Sequence, residues 1–183
     1  MVLFLHKAII MRQLTNEEHG RLDVEGFKSA EKKPVIVVLD NVRSLNNIGS
    51  IFRSCDAFRI EKLILCGIST PPPHRDIHKS ALGAELSVDW QYFEKTTDAI
   101  VDLKSNGYKI FAIEQTTGSI PLNEFNLSGP IAIVFGHEIH GVSPEVLGLC
   151  EAAIEIPQYG TKHSLNVAVS VGIVLWEMIR CAD

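Results

Sequence analysis

The run Val35-Ile36-Val37-Val38-Leu39 offers no polar residue to either face of a strand. A strand that alternates apolar and polar residues can lie half in water. One that does not alternate must be covered on both sides, as in a parallel sheet with helices on both faces. Four more short, largely apolar segments read the same way: Lys62–Cys66, Tyr108–Ile113, Ile131–Phe135 and Ala152–Ile156. Between and after them the spacing predicts helices over Asn47–Phe58, His74–Gly83, Thr96–Asn106, Pro144–Cys150 and Ser164–Arg180. Gly107 suits a helix stop, and Pro144 suits a first turn. Thr70-Pro71-Pro72-Pro73 must be irregular. Alternation of this kind predicts an α/β fold, a mostly parallel sheet flanked by helices. Residues 34–183 read as one domain. Residues 1–33 read as a helical N-terminal extension, with a capped, acidic helix start at Thr15-Asn16-Glu17-Glu18.

The chain has 183 residues and a net charge of -5. That charge excludes a protein that coats nucleic acid by bulk attraction. The average hides an asymmetry. Residues up to Ser80 hold 12 Lys/Arg and 9 Asp/Glu, and those from Ala81 onward hold 5 and 13. An anionic partner is therefore expected on the first half. Cys55, Cys66, Cys150 and Cys181 form no CxxC pair and no zinc spacing, so reduced thiols in a cytoplasmic protein are expected. Val2–Met11 is apolar but too short to cross a bilayer, and it lacks the marks of a secretion leader. No membrane association is expected, and Met11 is an alternative start.

Three polar or glycine-rich segments each follow a predicted strand: Asp40–Arg53, Gly136–Gly141 and Pro157–Asn166. In a parallel sheet all three reach one edge, where ligand sites form. There is no GxGxxG, so ordinary dinucleotide binding is not expected. Gly160-Thr161-Lys162-His163-Ser164 lacks the order of a phosphate loop. His137 and His140 stand three apart in a turn rather than four apart on a helix, so no metal site is expected.

Taken in order, the three segments resemble the motifs of the SpoU (TrmH-type) RNA 2'-O-ribose methyltransferases of the SPOUT class. Asn47-Ile48-Gly49-Ser50-Ile51-Phe52-Arg53 is similar to the first motif. Phe135-Gly136-His137-Glu138-Ile139-His140-Gly141-Val142 is similar to the second, Gly-Asn-Glu-x-x-Gly. Ile156-Pro157-Gln158-Tyr159-Gly160 and Ser164-Leu165-Asn166-Val167-Ala168-Val169, continuing to Trp176-Glu177, are similar to the third. The resemblance runs from about Pro34 to Arg180. It departs at His137, where the family usually has Asn, and at Gln158, where it usually has Met.

The resemblance implies an α/β domain with a C-terminal trefoil knot, a homodimer with its site near the subunit interface, and S-adenosylmethionine as cofactor. It matches Ile113, Gly136, Ile156 and Leu165 to cofactor contacts. It matches Arg53, Asn47, Glu138, Ser164 and Asn166 to the catalytic set. The residue chemistry suits such a site. Gly136 and Gly141 let backbone approach a ligand. A sulfonium methyl is already electrophilic, so the protein need only place an oxygen in line with it and help remove a proton. A guanidinium stays protonated, so Arg53 suits gripping a phosphate and polarising a ribose hydroxyl better than acting as a base.

On spacing alone Arg53 reads equally as a surface salt bridge, Glu138 as a solvated turn carboxylate, and Asn47 and Ser164 as helix N-caps. Val169, Gly172, Ile173 and Trp176 read as core or dimer interface. Arg43, Arg59, Arg75, Lys79 and Lys162 are expected to meet RNA phosphates. The expected activity is methyl transfer to a ribose 2'-hydroxyl of tRNA or rRNA. An RNA- or cofactor-binding domain without turnover, and an RNA base methyltransferase, stay open as alternatives.

Overall fold

The computed structural model describes residues 11–15, 17–126 and 129–180. Within them, the unbroken apolar run sits where its chemistry requires. It forms β1 (Lys33–Asp40), a central strand whose residues Val35 to Leu39 are at most 2% exposed. The other strands are β2 (Ile60–Cys66), β3 (Trp90–Phe93), β4 (Lys109–Ile113), β5 (Ile120–Pro121), β6 (Ile131–Phe135) and β7 (Ala152–Glu155). They pair in the order β3-β2-β1-β6-β4-β7-β5, and every pairing is parallel.

The helices are α1 (Val24–Ser29), α2 (Leu45–Ala57), α3 (Arg75–Ala81), α4 (Ala84–Ser87), α5 (Thr96–Ser105), α6 (Pro144–Leu147) and α7 (Val167–Arg180). Val35, Val37 and Leu39 join Ile48, Ile51 and Phe52 of α2 and Val171, Val174 and Leu175 of α7 in one core. Ile36 and Val38 join Ala99, Ile100 and Leu103 of α5 and Val146 of α6 in the other. The period of two along β1 thus feeds two layers of helices. Cys55 and Cys66 are buried, and burial pushes the Cys66 thiol up to about 12. Cys181 lies outside the described residues.

The structure moves several predicted boundaries. No helix starts at Thr15; Glu17–His19 is a single 3-10 turn. Gly20 follows it in the left-handed region at φ 58°, and the first helix begins only after Asp23, whose carboxylate accepts from the Gly26 amide at 2.7 Å. Residues 1–10 and Asn16 lie outside the described residues. The last helix starts at Val167, not Ser164. Strands β3 and β5 carry no apolar run to announce them. They lie at the two sheet edges, where Trp90, Gln91 and Tyr92 face solvent.

Asp40, at the end of β1, is 2% exposed and ties the strand ends together. Its carboxylate accepts from Thr96 Oγ1 at 2.6 Å and from the Ser143 amide at 2.9 Å. Those two residues open α5 and α6, so one buried side chain fixes both helices above the sheet edge.

Helices α2 and α3 meet backbone to backbone at Gly49. A Cβ there would lie 2.0 Å from Ser80 Oγ and 2.5 Å from the Ile77 carbonyl oxygen. Gly49→Ala must push the helices apart, against the small gain in helix propensity that alanine brings. We expect a net loss of about 1–3 kcal/mol in urea unfolding. An unchanged unfolding midpoint would show that the contact is not tight.

Candidate active site

The loop after β6 is built around two glycines. A Cβ on Gly136 would lie 2.1 Å from the Gly141 carbonyl carbon and 2.2 Å from the Val142 nitrogen. Gly136 is therefore needed by the loop's own crossing, a role beyond the ligand approach that the sequence suggests. Gly141 has φ 67°, in the left-handed region, and a Cβ there would meet the Glu114 carboxylate at 2.2 Å. The loop closes by a two-way backbone bridge. The His137 amide donates to the Gly141 carbonyl at 3.0 Å, and the Gly141 amide donates back at 2.9 Å. The Ile139 amide donates to His137 Nδ1 at 3.0 Å, and the His137 and His140 rings lie 4.8 Å apart.

Glu138 joins this loop to the start of α2. One carboxylate oxygen accepts from the Arg43 amide at 3.0 Å. The other accepts from the Ser44 amide at 2.9 Å and from Asn47 Nδ2 at 3.0 Å. Desolvation pushes the carboxyl up. The amides of Arg43, Ser44 and Glu138 itself, with Asn47, outweigh it, and the net shift is downward.

The chain of contacts continues into α7. Asn166 Nδ2 donates to Asn47 Oδ1 at 3.2 Å, while Asn166 Oδ1 accepts from the Ala168 and Val169 amides at 2.9 and 3.3 Å. Asn166, not Ser164, is the cap of α7. Likewise Ser44, not Asn47, caps α2, accepting from the Asn47 amide at 3.3 Å. Asn47 is thereby free to bridge Glu138 and Asn166.

These loops enclose a cavity of about 420 Å³. Ile113, Gly136, Ile156 and Leu165 all line it, and so do Glu138 and Ser164. Three carboxylates, Glu114, Glu138 and Glu155, stand among the lining residues. A small-molecule site of this kind needs apolar walls, a few polar groups and roughly 300–1,000 Å³. A ligand with cationic groups suits the carboxylates, and S-adenosylmethionine, with a sulfonium and an ammonium, is such a ligand.

No motif marks Glu114. Its carboxylate accepts from the Val142 amide at 3.0 Å and from the Gln115 amide at 2.9 Å, pinning the Gly136–Val142 loop from the side opposite Glu138. Its position just past β4, opening the polar stretch Glu114-Gln115-Thr116, is the signal that could have found it.

Arg53 lies elsewhere. It is exposed on α2 and lines a second cavity, of about 1040 Å³, together with Arg59. It does not line the first. Arg43, Arg75, Lys79 and Lys162 are exposed and line neither cavity. Val169, Ile173 and Trp176 are 51%, 38% and 61% exposed, so they do not belong to the core, whereas Val171, Val174 and Leu175 do. Among the described residues no group of three or more His, Cys, Asp or Glu is placed to hold a metal. Nor is any described helix long and apolar enough to cross a membrane.

Glu138→Gln keeps the side chain's size but turns an NH₂ group toward three donors. At least one of them loses its acceptor, so we expect about 1–2 kcal/mol less stability in urea unfolding at neutral pH. The wild-type carboxyl sits below its ordinary range, so its contribution is complete above that range and is lost as pH falls through the folded value. The gap between the two proteins should close in acid. A gap that stays constant with pH would deny the carboxylate this role.

The chain is similar to known RNA methyltransferases. A tRNA (guanosine(18)-2'-O)-methyltransferase of Aquifex aeolicus is 32% identical over 155 residues, covering 81% of this chain and 70% of the relative. The 23S rRNA (guanosine-2'-O-)-methyltransferase RlmB of Vibrio parahaemolyticus is 28% identical, over 96% of this chain and 70% of the relative. The crystal structure of an AdoMet-bound rRNA methyltransferase from Sinorhizobium meliloti superposes with a TM-score of 0.76 at 29% identity, covering 82% of this chain and 57% of that one. Residues 34–176 match the profile of the SpoU rRNA Methylase family. The match takes in the Asn47–Glu138–Asn166 network and the loops around the smaller cavity, and the chain belongs to the SpoU rRNA methylase family.

Proposed function

We propose that this protein transfers a methyl group from S-adenosylmethionine to a ribose 2'-hydroxyl of tRNA or rRNA. The carrying observation is the cavity at the strand ends, with its apolar walls, its three carboxylates and the Glu138 clamp that fixes its loops. The names of the relatives, guanosine-2'-O-methyltransferases of tRNA and 23S rRNA, support the same chemistry.

Ile113, Ile156 and Leu165 form the apolar walls for the cofactor, and the Gly136–Val142 loop supplies backbone groups. When bound, the cofactor supplies an electrophilic methyl group. The chain's own residues then have to position an oxygen. Asn47, Glu138 and Asn166 hold the loops in one arrangement, and Ser164 faces the cavity. Arg53 carries a permanent charge, so its task is to hold an RNA phosphate and stabilise the hydroxyl as it loses its proton.

This reading includes a homodimer. Arg53 and the cofactor cavity are separate within one chain, so the site is complete only if Arg53 of the partner subunit reaches it. Val169, Ile173 and Trp176 form an exposed apolar stripe along α7, spaced four and three residues apart, and suit such an interface. We extend the reading to residues 34–183 as the methyltransferase domain with residues 1–33 as its extension, to a knotted C-terminal part and to the cytoplasm. Ser164 and Leu165 lining the same cavity as Gly136 supports the close threading of the last loop. The buried, protonated Cys66 suits a reducing compartment.

Purified protein, methyl-labelled cofactor and unmodified tRNA and rRNA transcripts should yield 2'-O-methylated nucleosides. Label on a base, or none on any RNA, would overturn the reading. Arg53→Ala and Leu165→Arg should each lose at least about 100-fold in rate, the scale of removing one transition-state contact. Mixed and re-dimerised, the two dead variants should recover about a quarter of wild-type activity, because half the dimers then carry one intact site. No recovery would place Arg53 and the cofactor in the same chain.

A further inference from the structure

The larger cavity is more than the seat of Arg53. Three guanidinium groups line it: Arg53 on α2, Arg59 just beyond that helix, and Arg21 from the N-terminal segment. Among the described residues none of the three has a hydrogen-bond or ion-pair partner. Two carboxylates also line the cavity, but both are engaged. Asp23 accepts from the Gly26 amide at 2.7 Å, and Asp56 accepts from Ser87 Oγ at 2.6 Å. Neither carboxylate pairs with a guanidinium among the described residues, and three arginines against two carboxylates leave the lining net positive.

Beside the arginines stands an apolar shelf. Leu22, Leu82 and Leu86 line the same cavity and are 53%, 70% and 61% exposed. Leu82 and Arg59 hold left-handed backbone, at φ 53° and 47°. Only three non-glycine residues do so among those described, and two of them line this cavity. Such conformations disfavour side-chain residues and gather at binding sites. Here they turn one leucine and one arginine toward the same space.

Unpaired guanidiniums beside exposed aliphatic side chains match one chemistry well: a nucleotide, with phosphate on the charges and the flat face of a base on the apolar shelf. We infer that Arg21, Arg59 and the Leu82–Leu86 shelf form a subsite for an unpaired RNA nucleotide, next to the ribose held by Arg53. The inference rests on the function proposed above and adds to it a defined surface for the strand. It also gives the segment before β1 a direct part in substrate binding. The N-terminal segment and α4 grip the nucleotide from two sides, and the net negative charge elsewhere leaves this patch to choose the register of the strand.

The test uses full-length protein and a transcribed, unmodified tRNA pool, with binding read by fluorescence anisotropy across a salt series. The Arg21→Ala/Arg59→Ala double variant should bind about 10-fold more weakly, and its log K against log salt slope should shrink by about one to two. Leu86→Glu should weaken RNA binding similarly. Cofactor affinity, measured by calorimetry, should stay at the wild-type value in both. RNA carrying 4-thiouridine should cross-link to the peptide that contains Leu82–Leu86. Wild-type RNA affinity and slope in the double variant would overturn the subsite. So would dissociation of a dimer by Leu86→Glu in sedimentation, which would assign the shelf to a second copy. Binding with these responses but no methyl transfer by wild type would sink the proposed activity and leave the subsite standing.

Discussion

One carboxylate holds the site together. Glu138 sits on a loop at the end of β6 and takes three N–H donors from the start of α2. One of them, the Ser44 amide at the cap, is among the unpaired amides that a helix start must satisfy, and here a distant loop satisfies it. The bond partners are therefore structural and positional at once. If the carboxylate moves, the Arg43 and Ser44 amides lose their acceptor and Asn47 loses its anchor. Through Asn47 the disturbance passes to Asn166, and so to the cap of α7. Asp40 and Glu114 act in the same way on either side, one tying α5 and α6 to β1, the other tying the glycine loop to β4. Three acidic side chains thus convert an open sheet edge into a fixed cradle.

Much of this was legible beforehand. The central strands declared themselves by unbroken apolar runs, because burial on both faces leaves no room for polar residues. The edge strands β3 and β5 did not, since an edge needs no such run. Helix interiors were readable from spacing, and so were the starts of α5 at Thr96 and α6 at Pro144, but the starts of the first and last helices were not. Thr15 and Ser164 looked like caps, yet Asp23 and Asn166 do that work, because several adjacent residues can cap and tertiary contacts choose among them. The residues around the smaller cavity followed from three motifs placed after three strands. What escaped was relational. Nothing in the sequence says that Gly136 makes room for Val142, or that Glu114 holds the same loop. Nor does it say that Arg53 faces away from the cavity whose chemistry it is expected to serve.

That separation gives the charge pattern a meaning. The arginines at 21, 53 and 59 gather at one cavity, and the carboxylates at 114, 138 and 155 gather at the other. The protein keeps a surface suited to an anionic polymer apart from a pocket suited to a cationic small molecule. Against a net charge of -5, the three arginines make this cavity a local exception to the chain's overall acidity.

The bonds that define the cradle also set when it can exist. Asn47 and Glu138 are 91 residues apart, Asp40 and Ser143 are 103 apart, and Asn47 and Asn166 are 119 apart. Loops of that span close only once the intervening strands have found their order, because local pairs cannot offset the entropy of closure. The cradle is complete only when α7 is in place and Asn166 bonds Asn47, so a chain cut short before Asn166 carries the sequence of every strand but lacks both the last bond of the cradle and the helix that covers one face of β1.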